Sequence, residues 1–240
     1  MNKFDIAVGN EPEKLVRTEA RTNLDIAQEI ATKISDYLGF DVNSLIDNTD
    51  SVIFGGATRD ALAGLDIHDV DIMALPQACQ VLSNRLIDRG FRRIYCYTPD
   101  IASLYIGMSL INEPLTFINN DDKLVQLIRP RVRFDTSDNY LIIDPLTQLR
   151  TCLSSVDMSS SGVTYSTNVI VSRFWSGMQG ECTDWSRVAE VCADAIEHCR
   201  HRQFKVLPDN AFHQKNRINH RIAKLTDRGW KKIVDVSRYI

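Results

Sequence analysis

Apolar positions Leu24, Ala27, Ile30, Ala31, Ile34 and Leu38 recur at helical spacing within a segment from about residue 13 to 38, and Gly39 follows where a C-terminal cap belongs. The period then changes. Residues 51–54 form a short apolar strand that runs into Gly55 and Gly56. A brief helix is expected over 57–63, closed by Gly64, and Val70, Ile72 and Ala74 alternate along a strand at 69–75. Pro76 and Gly90 bracket a further helix that reaches about Arg89. Strands are expected at 91–97, 103–111, 122–129 and 139–143. The Ser/Thr-rich stretch 150–172 reads as a connection containing short strands. Helical period returns through Val188, Val191, Cys192, Ala195, Ile196 and Cys199. A last helix starts at Pro208-Asp209, turns Ile218, Ile222 and Leu225 inward and ends at Gly229. This order predicts an α/β (α+β) chain, with a mixed β-sheet flanked by helices over 1–150 and a smaller, mostly helical part over 151–240.

At 240 residues and 44% hydrophobic, the chain can bury a full core. A formal net charge of −3 gives no global basic field, but the charge is uneven. From Lys205 onward nine basic residues face only Asp209, Asp227 and Asp235. The six cysteines have no Cys-x-x-Cys spacing, and several sit among apolar residues, where Cys behaves as a small hydrophobe. No signal-peptide core opens the sequence, and no apolar run approaches the length of a membrane span. The expectation is a cytoplasmic protein with reduced thiols and no membrane partner. Gly-x-Ser-x-Gly, Walker A and His-Glu-x-x-His patterns are all missing, which argues against a hydrolase of that type, a P-loop NTPase and a zincin.

The chemistry concentrates in Phe54-Gly55-Gly56-Ala57-Thr58-Arg59-Asp60-Ala61-Leu62-Ala63-Gly64 and the following Asp69-Val70-Asp71. Two glycines at a strand-to-helix turn permit positive φ and let a phosphate approach the backbone. The helix behind them offers free N–H groups, and Arg59 adds a guanidinium fork suited to phosphate oxygens. Asp69 and Asp71, two residues apart on a strand, leave the same face roughly 6–7 Å apart at Cα. Hard oxygen ligands at that separation suit Mg²⁺. Each piece alone is commonplace: Gly-Gly is usually a turn, Asp-x-Asp a solvated strand face, and Arg59-Asp60 a surface pair. Their combination in one strand–turn–helix–strand unit is much harder to obtain by chance.

The run from Gly55 to Ile72 resembles the head of the class II tRNA nucleotidyltransferase and bacterial poly(A) polymerase family, within the DNA polymerase beta-like nucleotidyltransferase superfamily. The resemblance covers about 54–73 well and weakens toward 145. It implies a palm-type mixed sheet and template-independent transfer of NMP from an NTP to a hydroxyl acceptor, an RNA 3′ end. It also implies dependence on Mg²⁺, or on Mn²⁺ in its place. Asp69 and Asp71 would be the metal ligands and catalytic carboxylates. Gly55, Gly56 and Arg59 would face the triphosphate, Arg129 would join them in binding nucleotide, and Asp60 would brace the turn. That family takes a third acidic residue from a later strand. Here Lys123-Leu124-Val125-Gln126-Leu127-Ile128-Arg129 puts Gln126 in the acidic slot, and an amide is a poor general base and a weaker metal ligand. Asp135 is entered as the third catalytic carboxylate, with Asp144 as the other candidate. The family's Arg-Arg-Asp-Phe-Thr-Ile-Asn-Ala signature is missing, which leaves CCA specificity unsupported.

Arg217, Arg221, Lys224, Lys231 and Lys232 are the candidates for contacting RNA phosphates, with Trp230 available to stack on a base. The alternative for this segment is a solvated helix face with Trp230 in the core. His198-Cys199 and His201 are zinc-ligand types, but a helix surface with a buried Cys accounts for them better. Two functions follow: a metal-dependent nucleotidyltransferase acting with NTP and RNA, or a catalytically weakened palm that binds nucleotide or RNA for protein partners in a larger assembly.

Overall fold

The computed structural model describes residues 11–95, 114–129, 158–167, 195–206 and 215–233, with side chains from Asp25 in the first helix and from Ile218 in the last. The expected strands at 103–111 and 139–143, the start of the helix through Val188, the start at Pro208, and both Asp135 and Asp144 lie outside the described residues.

Helix α1 (Glu11–Leu38) precedes a short α2 (Val42–Ile46), strand β1 (Val52–Phe54), α3 (Gly56–Leu62), β2 (Asp69–Met73), α4 (Pro76–Asp88) and β3 (Arg92–Ile94). Strands β4 (Leu115–Ile118) and β5 (Leu124–Ile128) follow, then a 3-10 turn at Ser159–Ser161 and β6 (Thr164–Tyr165). A helical segment over 195–200, here α5, leads to β7 (Gln203–Phe204), α6 (Lys215–Asp227) and β8 (Lys231–Lys232). The main sheet has six strands in the order β3-β4-β5-β2-β1-β6 and is mixed. Only the β2–β5 pair within it is parallel. Strands β7 and β8 make a separate parallel pair. The expected mixed sheet flanked by helices is what the chain forms.

Alternation along β2 and β5 separates two faces. Val70, Ile72, Val125 and Leu127 are fully buried, and they share a core with Ile30 and Ile34 of α1, Ala57 and Ala61 of α3, and Leu82 and Leu86 of α4. The other face carries Asp69, Asp71 and Gln126, all half-buried. Strand β6 extends the sheet with residues from beyond position 150, and the same hydrophobic cluster continues through Met158, Cys199, Phe204 and Leu225 to Trp230. Thr58 Oγ1 ties α3 to this later segment, donating to the Val163 carbonyl at 2.8 Å.

Helix α2 and strand β4 were not expected from the hydrophobic pattern. Five residues of helix are too short to show a period, and what starts α2 is Asp41, whose side chain accepts from the Asn43 N–H at 3.0 Å. Strand β4 exists because β3 and β5 pair on either side of it. Among the described residues no helix is long and apolar enough to cross a membrane.

The tightness of α1 on the sheet can be tested at Ile34, which has no solvent exposure. Ile34→Ala is expected to cost about 2–5 kcal/mol of unfolding free energy, measured by urea titration. A cost below about 1 kcal/mol would mean that α1 does not pack as described.

Candidate functional site

Strand β1 delivers the chain to Gly55, whose φ of 75° and ψ of −122° are open to glycine and strained for any side chain. The turn reverses the chain into α3 and leaves the backbone of Gly55 and Gly56 beside the two carboxylates. A Cβ at Gly55 would lie 3.8 Å from Asp71 Oδ2. One at Gly56 would lie 3.6 Å from Asp69 Oδ1 and 3.7 Å from Arg59 Nη2. The absence of side chains at Gly55 and Gly56 thus leaves backbone directly beside Asp69, Asp71 and Arg59.

Antiparallel pairing of Phe54 with Asp71 fixes this apposition, and parallel pairing of Asp71 with Gln126 fixes what stands on the other side. Gln126 is therefore the residue directly across from Asp71 on the neighbouring strand, with Thr116 of β4 beyond it. The side chain that β5 sets beside Asp71 is thus an amide and not a carboxylate.

Asp71 retains some solvent contact as a residue, yet its Oδ1 is sealed from solvent and accepts no hydrogen bond. Burial, then the neighbouring Asp69 carboxylate, push its pKa up to about 8, against the opposing pull of Arg221, Lys224 and Arg59. A buried oxygen without a donor, on a carboxylate held beside a second one, fits a divalent cation. Mg²⁺ needs only one or two protein carboxylates when waters and phosphates complete its shell. Among the described residues no group of three or more His, Cys, Asp or Glu side chains is placed to hold a metal ion. The zinc-type residues agree with that: His198 and Cys199 are buried, with His198 Nδ1 2.7 Å from Ser159 Oγ and Cys199 Sγ donating to the Ser160 carbonyl.

Arg59 points along its own helix. Its Nε and Nη2 reach Asp60 Oδ1 and Oδ2 at 2.9 and 3.1 Å, and its guanidinium lies 5.5 Å from the centre of the Trp230 ring. Asp60 is 2% exposed and takes a second cation, Arg228, at 3.0 Å. Arg129 stands just past β5, where its charge acts on the Cys79 thiol of α4. Of the basic residues expected at RNA, Arg221 and Lys224 do act on Asp71. Lys231 and Lys232 lie exposed on β8, and the side chain of Arg217 lies outside the described residues. Trp230 is 2% exposed and packs in the core.

No protein-family model matches the chain, and no curated protein matches it. Among solved structures it is similar to a CCA-adding enzyme in apo form I, with a TM-score of 0.49 and 10% identity over 90% of this chain and 40% of that one. The Bacillus stearothermophilus CCA-adding enzyme in complex with CTP gives a TM-score of 0.43 and 15% identity over 90% and 42%. The chain spans about two fifths of the length of those enzymes. At these scores the likeness carries no weight for function, which has to be read from the site itself.

The electrostatics of Asp71 give a pH signature. Its folded pKa, about 8, lies above the unfolded value near 3.9, so the native state holds the proton more tightly. Its contribution to stability is therefore complete below about pH 4 and is lost as pH rises through about 8. In thermal melts without divalent ions, Asp71→Asn is expected to be more stable than the wild type at pH 8 and to show a weaker decline between pH 5 and 8. Mg²⁺ should raise the wild-type melting temperature and leave the variant unmoved; equal responses would remove Asp71 from the metal site.

Proposed function

We propose that this chain is a metal-dependent nucleotidyltransferase of the DNA polymerase beta-like superfamily, which moves NMP from an NTP to a hydroxyl acceptor, an RNA 3′ end. The observation that carries this reading is the orphaned Asp71 Oδ1 on a carboxylate beside Asp69, whose other oxygen, Oδ2, lies by the side-chain-free turn at Gly55 and Gly56. Asp69 and Asp71 would hold Mg²⁺ or Mn²⁺. The ions, when bound, would activate the acceptor hydroxyl and neutralise charge on the triphosphate and leaving pyrophosphate.

The chain's own residues then have distinct tasks. Gly55 and Gly56 let the triphosphate lie against backbone N–H groups at the start of α3. Burial of Asp71 Oδ1 keeps water from that oxygen and would strengthen its interaction with a bound cation. Asp60 receives Arg59 and Arg228 and fixes the turn. Gln126, across from Asp71, can orient a hydroxyl by hydrogen bonding but cannot accept its proton.

That amide favours a second reading, a catalytically weakened palm that binds NTP or RNA within a larger assembly. Incubation with each labelled NTP, Mg²⁺ or Mn²⁺ and assorted RNAs separates the two. Transfer that disappears in Asp69→Asn with Asp71→Asn supports the enzyme; binding without turnover supports the second reading. Transfer that survives the double substitution would show that these carboxylates have been misassigned. In the enzyme case Gln126→Glu is expected to raise the transfer rate by tenfold or more, on the order of what a positioned general base supplies. A decrease on that substitution would show that the amide has its own task.

A further inference from the structure

Asp71 is held from both sides, by Phe54 of β1 and Gln126 of β5, whereas Asp69 is paired only with Leu124 of β5. It is the first residue of β2, and the segment over 65–68 ahead of it is neither helix nor strand. A strand end of this kind frays unless something else closes it. The Tyr37 hydroxyl closes it, donating to the His68 carbonyl at 2.6 Å and accepting the Leu124 N–H at 2.8 Å. Ladder bonds between parallel strands are slanted, so with Asp69 opposite Leu124 these are the two groups next in line. Both sides of the bridge are anchored. Tyr37 lies between the buried Ile34 and Leu38 at the end of α1, where the Gly39 N–H caps the Ser35 carbonyl at 2.8 Å. Leu124 follows a turn in which Asn119 Oδ1 accepts the N–H groups of Asp121 and Lys123 at 3.0 and 2.9 Å. Lys123 Nζ also lies 4.7 Å from the centre of the Tyr37 ring.

We infer that Tyr37 is a positioning residue for Asp69: its hydroxyl fixes the backbone on which that carboxylate stands, and so sets the placing of Asp69 against Asp71. The inference rests on the reading above that these two carboxylates hold a divalent cation. Mg²⁺ demands near-ideal geometry, so freedom at one of two protein ligands lowers affinity even when both are present. The two carboxylates differ here. Pairing on both sides fixes Asp71, while Asp69 depends on the bridge that Tyr37 makes from α1. The hydroxyl is not what docks α1 on the sheet, because Ile30, Ile34 and Leu38 already bury that face of the helix. Tyr37 acts through the backbone at His68 and Leu124, on a helix that precedes the glycine turn and both carboxylates in the chain.

The test measures binding of Mn²⁺ alone, and of Mn²⁺ with ATP, by calorimetry on the full chain, Tyr37→Phe and Tyr165→Phe. Tyr37→Phe keeps the ring beside Lys123 and removes only the bridge. Tyr165→Phe removes a phenol hydroxyl bonded to the Asn43 side chain and controls for general loosening. Tyr37→Phe is expected to weaken Mn²⁺ binding about tenfold, the size typical of lost outer partners of metal ligands, with the control unchanged. A second readout needs no variant. By linkage, Mn²⁺ must slow deuterium exchange of the Leu124 amide in the unmodified chain by the same factor, leaving the Lys231 amide, bonded to the Arg202 carbonyl, as the reference. Unaltered Mn²⁺ affinity in folded Tyr37→Phe, equal losses in both variants, or Leu124 exchange indifferent to Mn²⁺ would each overturn the inference and leave the proposed function standing. Mn²⁺ binding that depends on Tyr37, with no NTP bound at millimolar concentration, would keep the inference and overturn the proposed function. Failure of the unmodified chain to bind Mn²⁺ at millimolar concentration, with or without ATP, would overturn both.

Discussion

Two carboxylates on one face of a single strand are the constraint around which the rest of the structure is arranged. At an effective dielectric of about 20, unit charges about 6 Å apart repel by roughly 3 kcal/mol, and burial of Asp71 Oδ1 adds to that cost. The surroundings answer it. The glycine turn keeps side chains away, Arg59 stands on one side, and Arg221 and Lys224 come from a helix near the other end of the chain. What remains unsatisfied is one oxygen without a donor, and a divalent cation is the partner that removes both the repulsion and the orphan.

Asp60 connects this site to the C-terminal segment. A carboxylate 2% exposed is tolerable only with cations and hydrogen bonds around it, and it has two guanidinium groups, one from its neighbour and one from Arg228. Removing either partner from such a buried group typically costs about 3–5 kcal/mol, because the remaining charge is left uncompensated. The position of α6 is therefore coupled energetically to the turn. Arg202, donating to the Ala63 carbonyl at 3.3 Å, adds a second tie between the same two regions. A sheet strand from beyond residue 150 and a core that reaches Trp230 extend that coupling through the hydrophobic interior.

How much of this was legible in the sequence follows the range of the interactions. The glycine turn, α3, β2 and α4 are local: periodicity, Gly64, Pro76 and Gly90 mark them, and the expected and observed bounds differ by one or two residues. Strand β4 and the short strands β6, β7 and β8 depend on distant partners, which periodicity cannot show. The site divides in the same way. Asp69 and Asp71 must share a face by alternation alone. Which residue faces Asp71 from β5 follows only from the parallel register, and the run around Gln126 could be placed there only through the resemblance. The basic tail is divided by the fold between α6, which carries Arg221 and Lys224 and leads into the Asp60-bound Arg228, and β8, on which Lys231 and Lys232 lie exposed.

The amide at position 126 then bears on charge as well as on proton transfer. A third carboxylate across from Asp71 would add a further like charge to a site where one carboxyl is already pushed up by its neighbour and by burial. On the proposed function, two carboxylates rather than three leave less like charge for a triphosphate and its metal ions to meet. On that reading Gln126 would shift the balance of the site toward holding a nucleotide and away from deprotonating an acceptor. If the proposed function holds, nucleotide binding with slow transfer, limited by the lack of a general base beside Asp71, is the behaviour expected of this combination of residues.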